Sequence, residues 1–161
     1  MTLDSFSLEV TQIVSPSRKL FLSVFLEDEA VSRVEFSSTP HQEHLSSQTA
    51  ERLKKDVERY FQGYKIDFSD YSLRLSDTTG FLQKVLNKVR RIPYGETVTY
   101  GELAKKLNSG PRAVGQAMKR NPIPIIIPCH RVIASNGLGG YSSGVEIKKQ
   151  LLKLESPTGS H

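Results

Sequence analysis

The chain has 161 residues, 37% apolar and 24% charged, a composition that excludes disordered and collagen-like chains and leaves enough core to bury roughly 68–70% of the unfolded surface. Its net charge of +5 is uneven: residues 1–75 hold 9 Lys and Arg against 12 Asp and Glu, residues 76–161 hold 13 against 5, and a basic second half points to a polyanion partner. No apolar run is long enough to span a bilayer, and Met1-Thr2-Leu3-Asp4 carries no secretory or transit signal, so a cytoplasmic protein, or a nuclear one in a eukaryote, with no membrane contact is expected.

Phe6 to Val14, Lys19 to Phe25 and Val31 to Phe36 read as strands separated by Ser, Pro and acidic turn residues, and antiparallel pairing is expected. Ser47 to Phe61 reads as a helix with Leu53, Val57, Tyr60 and Phe61 on one face and Gly63 placed to stop it. Tyr64 to Leu75 reads as a connector ending in a short extended piece. Residues 1–75 show no titratable cluster and no phosphate loop, and read as structural support.

The second part, residues 76–161, opens at Ser76-Asp77, which can cap a helix carrying Phe81, Leu82, Val85, Leu86 and Val89 and closed by Pro93. Thr99-x-x-Glu102 has the form of a capping box, predicting a helix from Tyr100 to Leu107. Asn108-Ser109-Gly110 makes a turn, and Pro111 begins another helix through Arg120, so residues 99–120 read as a helix-turn-helix. Val114 and Met118 supply its inner face, while Ala113, Gly115 and Ala117 are small enough to let its backbone approach a partner closely. Arg112 sits in the first turn, where a cation opposes the helix dipole. Either a carboxylate pairs with it, or it serves an external anion or base.

Asn121 to Pro128 is apolar but holds three prolines, which argues for a rigid irregular segment rather than an interior strand. It delivers Pro128-Cys129-His130-Arg131-Val132. Cys129 is the one cysteine, so no disulfide and no thiolate metal cluster can form, and His41-x-x-His44 reads as solvated loop. No metal or cofactor is expected. A lone cysteine is ordinarily a small buried hydrophobe. Here the neighbouring His130 and Arg131 predict a depressed thiol pKa. Full ionisation would still gain only about thirtyfold at pH 7, so a pocket that positions an electrophile is needed as well. The Gly-rich stretch Asn136 to Gly144 can close that pocket, since it matches neither a Walker loop nor a dinucleotide fingerprint. Ile147, Leu151 and Leu154 define a last amphipathic helix, which carries Lys148 near its start and Glu155 at the end disfavoured for an anion.

Ile92-Pro-Tyr-Gly-Glu96, Thr99-Tyr100, Arg112-Ala-Val-Gly115, Asn121-Pro122, Ile127-Pro-Cys-His-Arg-Val132 and Tyr141-Ser142 together resemble the O6-alkylguanine-DNA alkyltransferases, from about Thr79 to Glu155. The first 75 residues are similar only in plan. The resemblance implies an α/β (α+β) protein of two lobes: a ribonuclease-H-like sheet-plus-helix lobe over 1–75, and a mostly helical DNA-binding and alkyl-acceptor lobe over 76–161. It implies a monomer that repairs double-stranded DNA containing O6-alkylguanine, and less readily O4-alkylthymine. The base would be flipped from the minor-groove side and the alkyl group transferred irreversibly to Cys129. The same resemblance makes His130 the water-linked base, Glu155 the carboxylate that orients it, Asn121 a backbone clamp and Tyr100 a donor to the departing guanine. The carbonyls of Cys129 and Val132 would accept from the exocyclic amine, Tyr141, Ser142 and Lys148 would line the pocket, and Arg112, Ala113, Gly115 and Tyr100 would meet DNA, with Arg112 filling the gap in the duplex. Two alternatives stay open: a sensor that flips the lesion without transfer, against which Cys129 counts, and a transcriptional helix-turn-helix protein, which leaves Cys129 and His130 unused.

Overall fold

The computed structural model describes residues 1–14, 18–75 and 78–157. Alternating apolar residues build a three-stranded antiparallel sheet from β1 (Leu3–Glu9), β2 (Phe21–Glu27) and β3 (Ala30–Ser37), in the order β1-β2-β3. Leu3 opposes Glu27 and Phe21 opposes Ser37. Phe6, Leu22, Val24, Leu26, Val31 and Val34 point into the core. The β2–β3 hairpin closes on Asp28 and Glu29, both at positive φ, the twist that a two-residue hairpin loop requires.

Helix α1 (Gln48–Phe61) starts at Ser47, whose hydroxyl accepts from the Ala50 amide. Buried Asp4 of β1 accepts from the Ser46 and Ser47 hydroxyls and so fixes that start to the sheet. Gly63 ends the helix at φ 99°, with the Tyr64 amide reaching back to the Arg59 carbonyl and the Gly63 amide to Tyr60, a Schellman closure. Leu73 then bridges to Val31.

The remainder holds α2 (Gly80–Val89), β4 (Val98–Thr99), α3 (Tyr100–Lys106), α4 (Pro111–Met118), β5 (Val132–Ile133) and α5 (Val145–Glu155). β4 and β5 pair in parallel, Val98 with Val132, which sets the start of α3 beside the chain leaving Cys129. The capping box forms in both directions between Thr99 and Glu102. The turn after α3 is again a Schellman closure, with the Ser109 amide on the Ala104 carbonyl. Its left-handed residue is Asn108, at φ 51°, and not Gly110. α4 packs on α2 and α3, α5 packs on a 3₁₀ turn at Cys129–Arg131, and one continuous buried cluster runs through both halves of the chain.

The architecture is a mixed α/β fold with small sheets and five α-helices among the described residues. Several boundaries differ from the sequence reading. The first strand ends at Glu9 because Thr11–Ile13 coils into a 3₁₀ turn that buries Ile13. The second is shifted to Phe21–Glu27, and α4 stops at Met118, two residues before Arg120. The cap of α2 is Thr79, whose hydroxyl accepts from the Leu82 amide; Ser76 and Asp77, and the tail histidine His161, lie outside the described residues. No helix among those residues is long and apolar enough to cross a membrane.

Candidate active site

The segment from Asn121 to Pro128 is irregular and almost wholly buried, and it turns back on itself at Ile125, a β-branched residue held at φ 75°. Such a conformation costs about 1–3 kcal/mol and persists only when its surroundings enforce it. Asn121 supplies part of that enforcement. Its side-chain oxygen accepts from the Ile123 amide at 2.9 Å, and its Nδ2 donates to the Ile127 carbonyl at 3.0 Å and to the Cys129 sulfur at 3.1 Å. One buried amide thus ties the turn to the thiol.

Cys129 is only 5% exposed. Burial pushes its thiol above the ordinary value, against the hydrogen bond from Asn121 and the charge of Lys148, which favour the thiolate. The sequence reading expected the opposite, and the 3₁₀ turn explains the reversal. It aims His130 and Arg131 at Glu155, so the two neighbours counted on to stabilise a thiolate are committed elsewhere.

Glu155, 3% exposed, collects four donors at close range. Arg131 binds it through two nitrogens, at 2.8 and 3.0 Å, His130 Nε2 lies 2.6 Å from Oε2, and the Tyr60 hydroxyl donates to the same oxygen at 2.5 Å. Burial alone would disfavour the carboxylate, but His130 and Arg131 overcome it and hold the carboxyl well below the usual range. An ionised Glu155 fixes the proton of His130 on Nε2 and leaves Nδ1 as a lone-pair acceptor. Nδ1 is buried and has no hydrogen-bond partner among the described residues. Desolvation pulls the imidazole pKa down despite Glu155, so the ring is neutral at pH 7 and can take a proton at Nδ1.

On its other side the sulfur opens into a cavity of about 440 Å³ lined by Tyr100, Arg112, Gly115, Tyr141 and Ser142, among others. The size suits one small ligand. The Tyr100 hydroxyl donates to the Gly140 carbonyl at 3.3 Å, and burial raises its pKa. Gly139 makes this fit possible: at φ 74°, a Cβ there would stand 2.7 Å from the Tyr100 ring. Lys148 is fully buried, donates to the Val132 and Gly140 carbonyls at 2.7 and 2.9 Å, and lies 3.5 Å from the Tyr100 hydroxyl. Burial brings its pKa down to about 8. The Tyr141 hydroxyl is buried near the Cys129 sulfur, and burial followed by the Cys129 charge pushes its pKa well up.

Of the residues expected from sequence, the fold brings Tyr100, Arg112, Gly115, Cys129, Tyr141 and Ser142 to one cavity, sets Asn121 against the sulfur and pairs His130 with Glu155. Lys148 and Val132 stand behind the wall, with the Val132 carbonyl already accepting from Lys148. Ala113 is exposed beside the cavity mouth. Ala117 is buried against the core, and so cannot be one of the small residues facing a partner. Arg112 is exposed and makes no ion pair among the described residues, which removes the carboxylate-paired alternative. The cavity also takes Gln116 from α4, which carries no signal in the sequence, and Met118, whose place on the inner face of that helix the burial bears out. Tyr60 lies in the core, as its place on the apolar helix face predicts, and also donates to Glu155, whereas Arg131, expected to stabilise the thiolate, holds Glu155 instead.

Residues 80–157 match the family model for the 6-O-methylguanine DNA methyltransferase DNA-binding domain. The chain is 42% identical over 134 residues to the methylated-DNA–protein-cysteine methyltransferase of Metallosphaera sedula, covering 83% of this chain and 85% of that one. Its fold is similar to the O6-methylguanine-DNA methyltransferase of the hyperthermophilic archaeon Pyrococcus kodakaraensis, with TM-score 0.71, 31% identity, and coverage of 96% and 99%. It is also similar to Mycobacterium tuberculosis OGT in complex with DNA, with TM-score 0.72, 34% identity, and coverage of 87% and 89%.

Proposed function

The chain belongs to the family of methylated-DNA–protein-cysteine methyltransferases, which repair DNA by alkyl transfer to a cysteine, and from that premise we propose that Cys129 takes the alkyl group of an O6-alkylguanine, and less readily an O4-alkylthymine, flipped out of duplex DNA. The observation that carries the reading is the position of the sulfur. It floors a ligand-sized cavity whose rim is the first turn of α4 with Arg112, and the residue that follows it in the chain is an imidazole backed by a carboxylate.

A base stacked in a duplex cannot reach a buried sulfur, so the nucleotide is extruded at a cost of a few kcal/mol. The unpaired guanidinium of Arg112 fills the gap in the stack, and Gly115 and exposed Ala113 let α4 lie close to the minor groove. Because the thiol is raised, the resting nucleophile is the neutral S–H. His130 Nδ1 takes its proton through one water as sulfur attacks the alkyl carbon, while Glu155 steadies the imidazolium that forms. The O6–carbon bond breaks and an S–carbon bond forms. The purine leaves with a proton or hydrogen bond from Tyr100, next to which Lys148 holds its ammonium. The carbonyls of Cys129 and Val132 accept from the exocyclic amine on their free lone pairs, and Tyr141 and Ser142 shape the wall. A thioether offers water no electrophile, so each molecule reacts once.

The three-stranded meander followed by α1 supports a ribonuclease-H-like first lobe over 1–75, with the DNA-binding and acceptor lobe over 76–161. Incubation with a duplex carrying one O6-methylguanine should add one methyl mass to the peptide containing Cys129, with a yield that never exceeds one per chain. Lesion bound in full with an unmodified peptide would refute the transfer.

A further inference from the structure

Tyr60 stands in the last turn of α1, in the part of the chain that the sequence assigns to support. Its side chain is fully buried, and its hydroxyl crosses to α5, 95 residues along the chain, to donate to Glu155 Oε2 at 2.5 Å. That oxygen also receives His130 Nε2 and Arg131 Nη2. The ring has little freedom to leave: Phe61, Phe68 and Tyr94 surround it with centroids 5.1, 5.9 and 6.2 Å away. Arg131, the other close partner of the carboxylate, is held in turn by the Ile92 carbonyl and lies over the Tyr94 ring.

We propose that Tyr60 is a positioning residue for alkyl transfer, acting through Glu155 to set how strongly the carboxylate polarises His130. This rests on the reading of His130 as the base for Cys129. A carboxylate oxygen shared among several donors gives each a weaker bond than it would give with one fewer, and a donor to the charged form stabilises that form. The Tyr60 hydroxyl therefore lowers the proton affinity of the His130–Glu155 pair. This keeps Nδ1 free to accept at neutral pH while the ring stays aligned. Burial keeps the phenol un-ionised and so purely a donor toward the carboxylate.

Replacing Tyr60 by Phe removes the donor and keeps the ring. Glu155 then pulls harder on His130, the pair holds its proton to higher pH, and the acid limb of the transfer rate moves upward by about one pH unit, a tenfold loss on that limb. A 3-fluorotyrosine placed at position 60 alone is nearly isosteric, donates more strongly and moves the limb the other way. Nitrogen NMR of labelled histidine follows His130 directly and needs no substrate: its titration should rise in Tyr60→Phe and fall with the fluorinated ring. A merely structural role would lower the unfolding temperature of Tyr60→Phe without moving either titration, and unmoved titrations in both variants would overturn the proposal. Should the unaltered protein fail to alkylate Cys129, the underlying reading falls while the NMR titration still decides whether Tyr60 tunes His130.

Discussion

Glu155 is the residue whose loss the structure sizes best, and Glu155→Gln is the perturbation of choice because it keeps shape while removing the charge. Arg131 would remain buried with its guanidinium against a neutral amide, and breaking one partner of a buried pair costs about 3–5 kcal/mol. With a urea slope of about 2 kcal/mol per molar, the unfolding midpoint at pH 7 should fall by about 1.5–2.5 M. The exposed pair Lys54–Glu43, at 2.5 Å, is the control: Glu43→Gln should cost no more than about 1 kcal/mol. The pH dependence has a definite sign. The folded carboxyl of Glu155 lies below its unfolded value of about 4.3, so its contribution is complete above that value and is lost as pH falls through and below it. The gap between the two unfolding midpoints should be full at pH 6–7 and narrow steadily from about pH 5 downward. An unfolding midpoint for Glu155→Gln no lower than that of Glu43→Gln would refute the claim that this carboxylate neutralises a buried cation.

Arg112→Ala should reduce transfer from an alkylated duplex at least about tenfold more than transfer from free O6-benzylguanine, since only the duplex has to be opened, at a few kcal/mol; equal losses in single-turnover rates on the two substrates would contradict the finger role. Cys129 should react with iodoacetamide more slowly than an unstructured cysteine peptide at pH 8, with a rate that climbs only as pH passes well above the ordinary thiol value of about 8.5. Rapid labelling at pH 6 would show a depressed thiol and contradict the burial argument.

The residues proposed to carry the chemistry were legible in the sequence because they are residue types at short spacing. Pro128-Cys129-His130-Arg131-Val132 and Arg112-Ala113-Val114-Gly115 are local patterns, and the capping box at Thr99 and the stop at Gly63 rest on hydrogen bonds between near neighbours. The charge difference between the halves is likewise additive along the chain. What the sequence could not show is direction. Cys129, His130 and Arg131 are consecutive, yet a 3₁₀ turn leaves the sulfur at the cavity and sends both following side chains to Glu155. The same neighbours that predicted a lowered thiol pKa leave it raised, because the sign depends on which groups share the cavity once water is excluded.

The proposed nucleophile, the proposed base and the helix pair beside them therefore rest on local sequence. The electrostatics of the nucleophile, the tautomer of His130 and the convergence of Tyr60, Arg131 and Glu155 were decided by tertiary packing. Tyr60 and Glu155 are 95 residues apart, and no periodicity can pair a helix face in one half of a chain with a carboxylate in the other. Ala117 and Gly115 make the point on a smaller scale: both are small residues of α4, and only the packing of that helix against α2 and α3 turns one inward and leaves the other at the cavity.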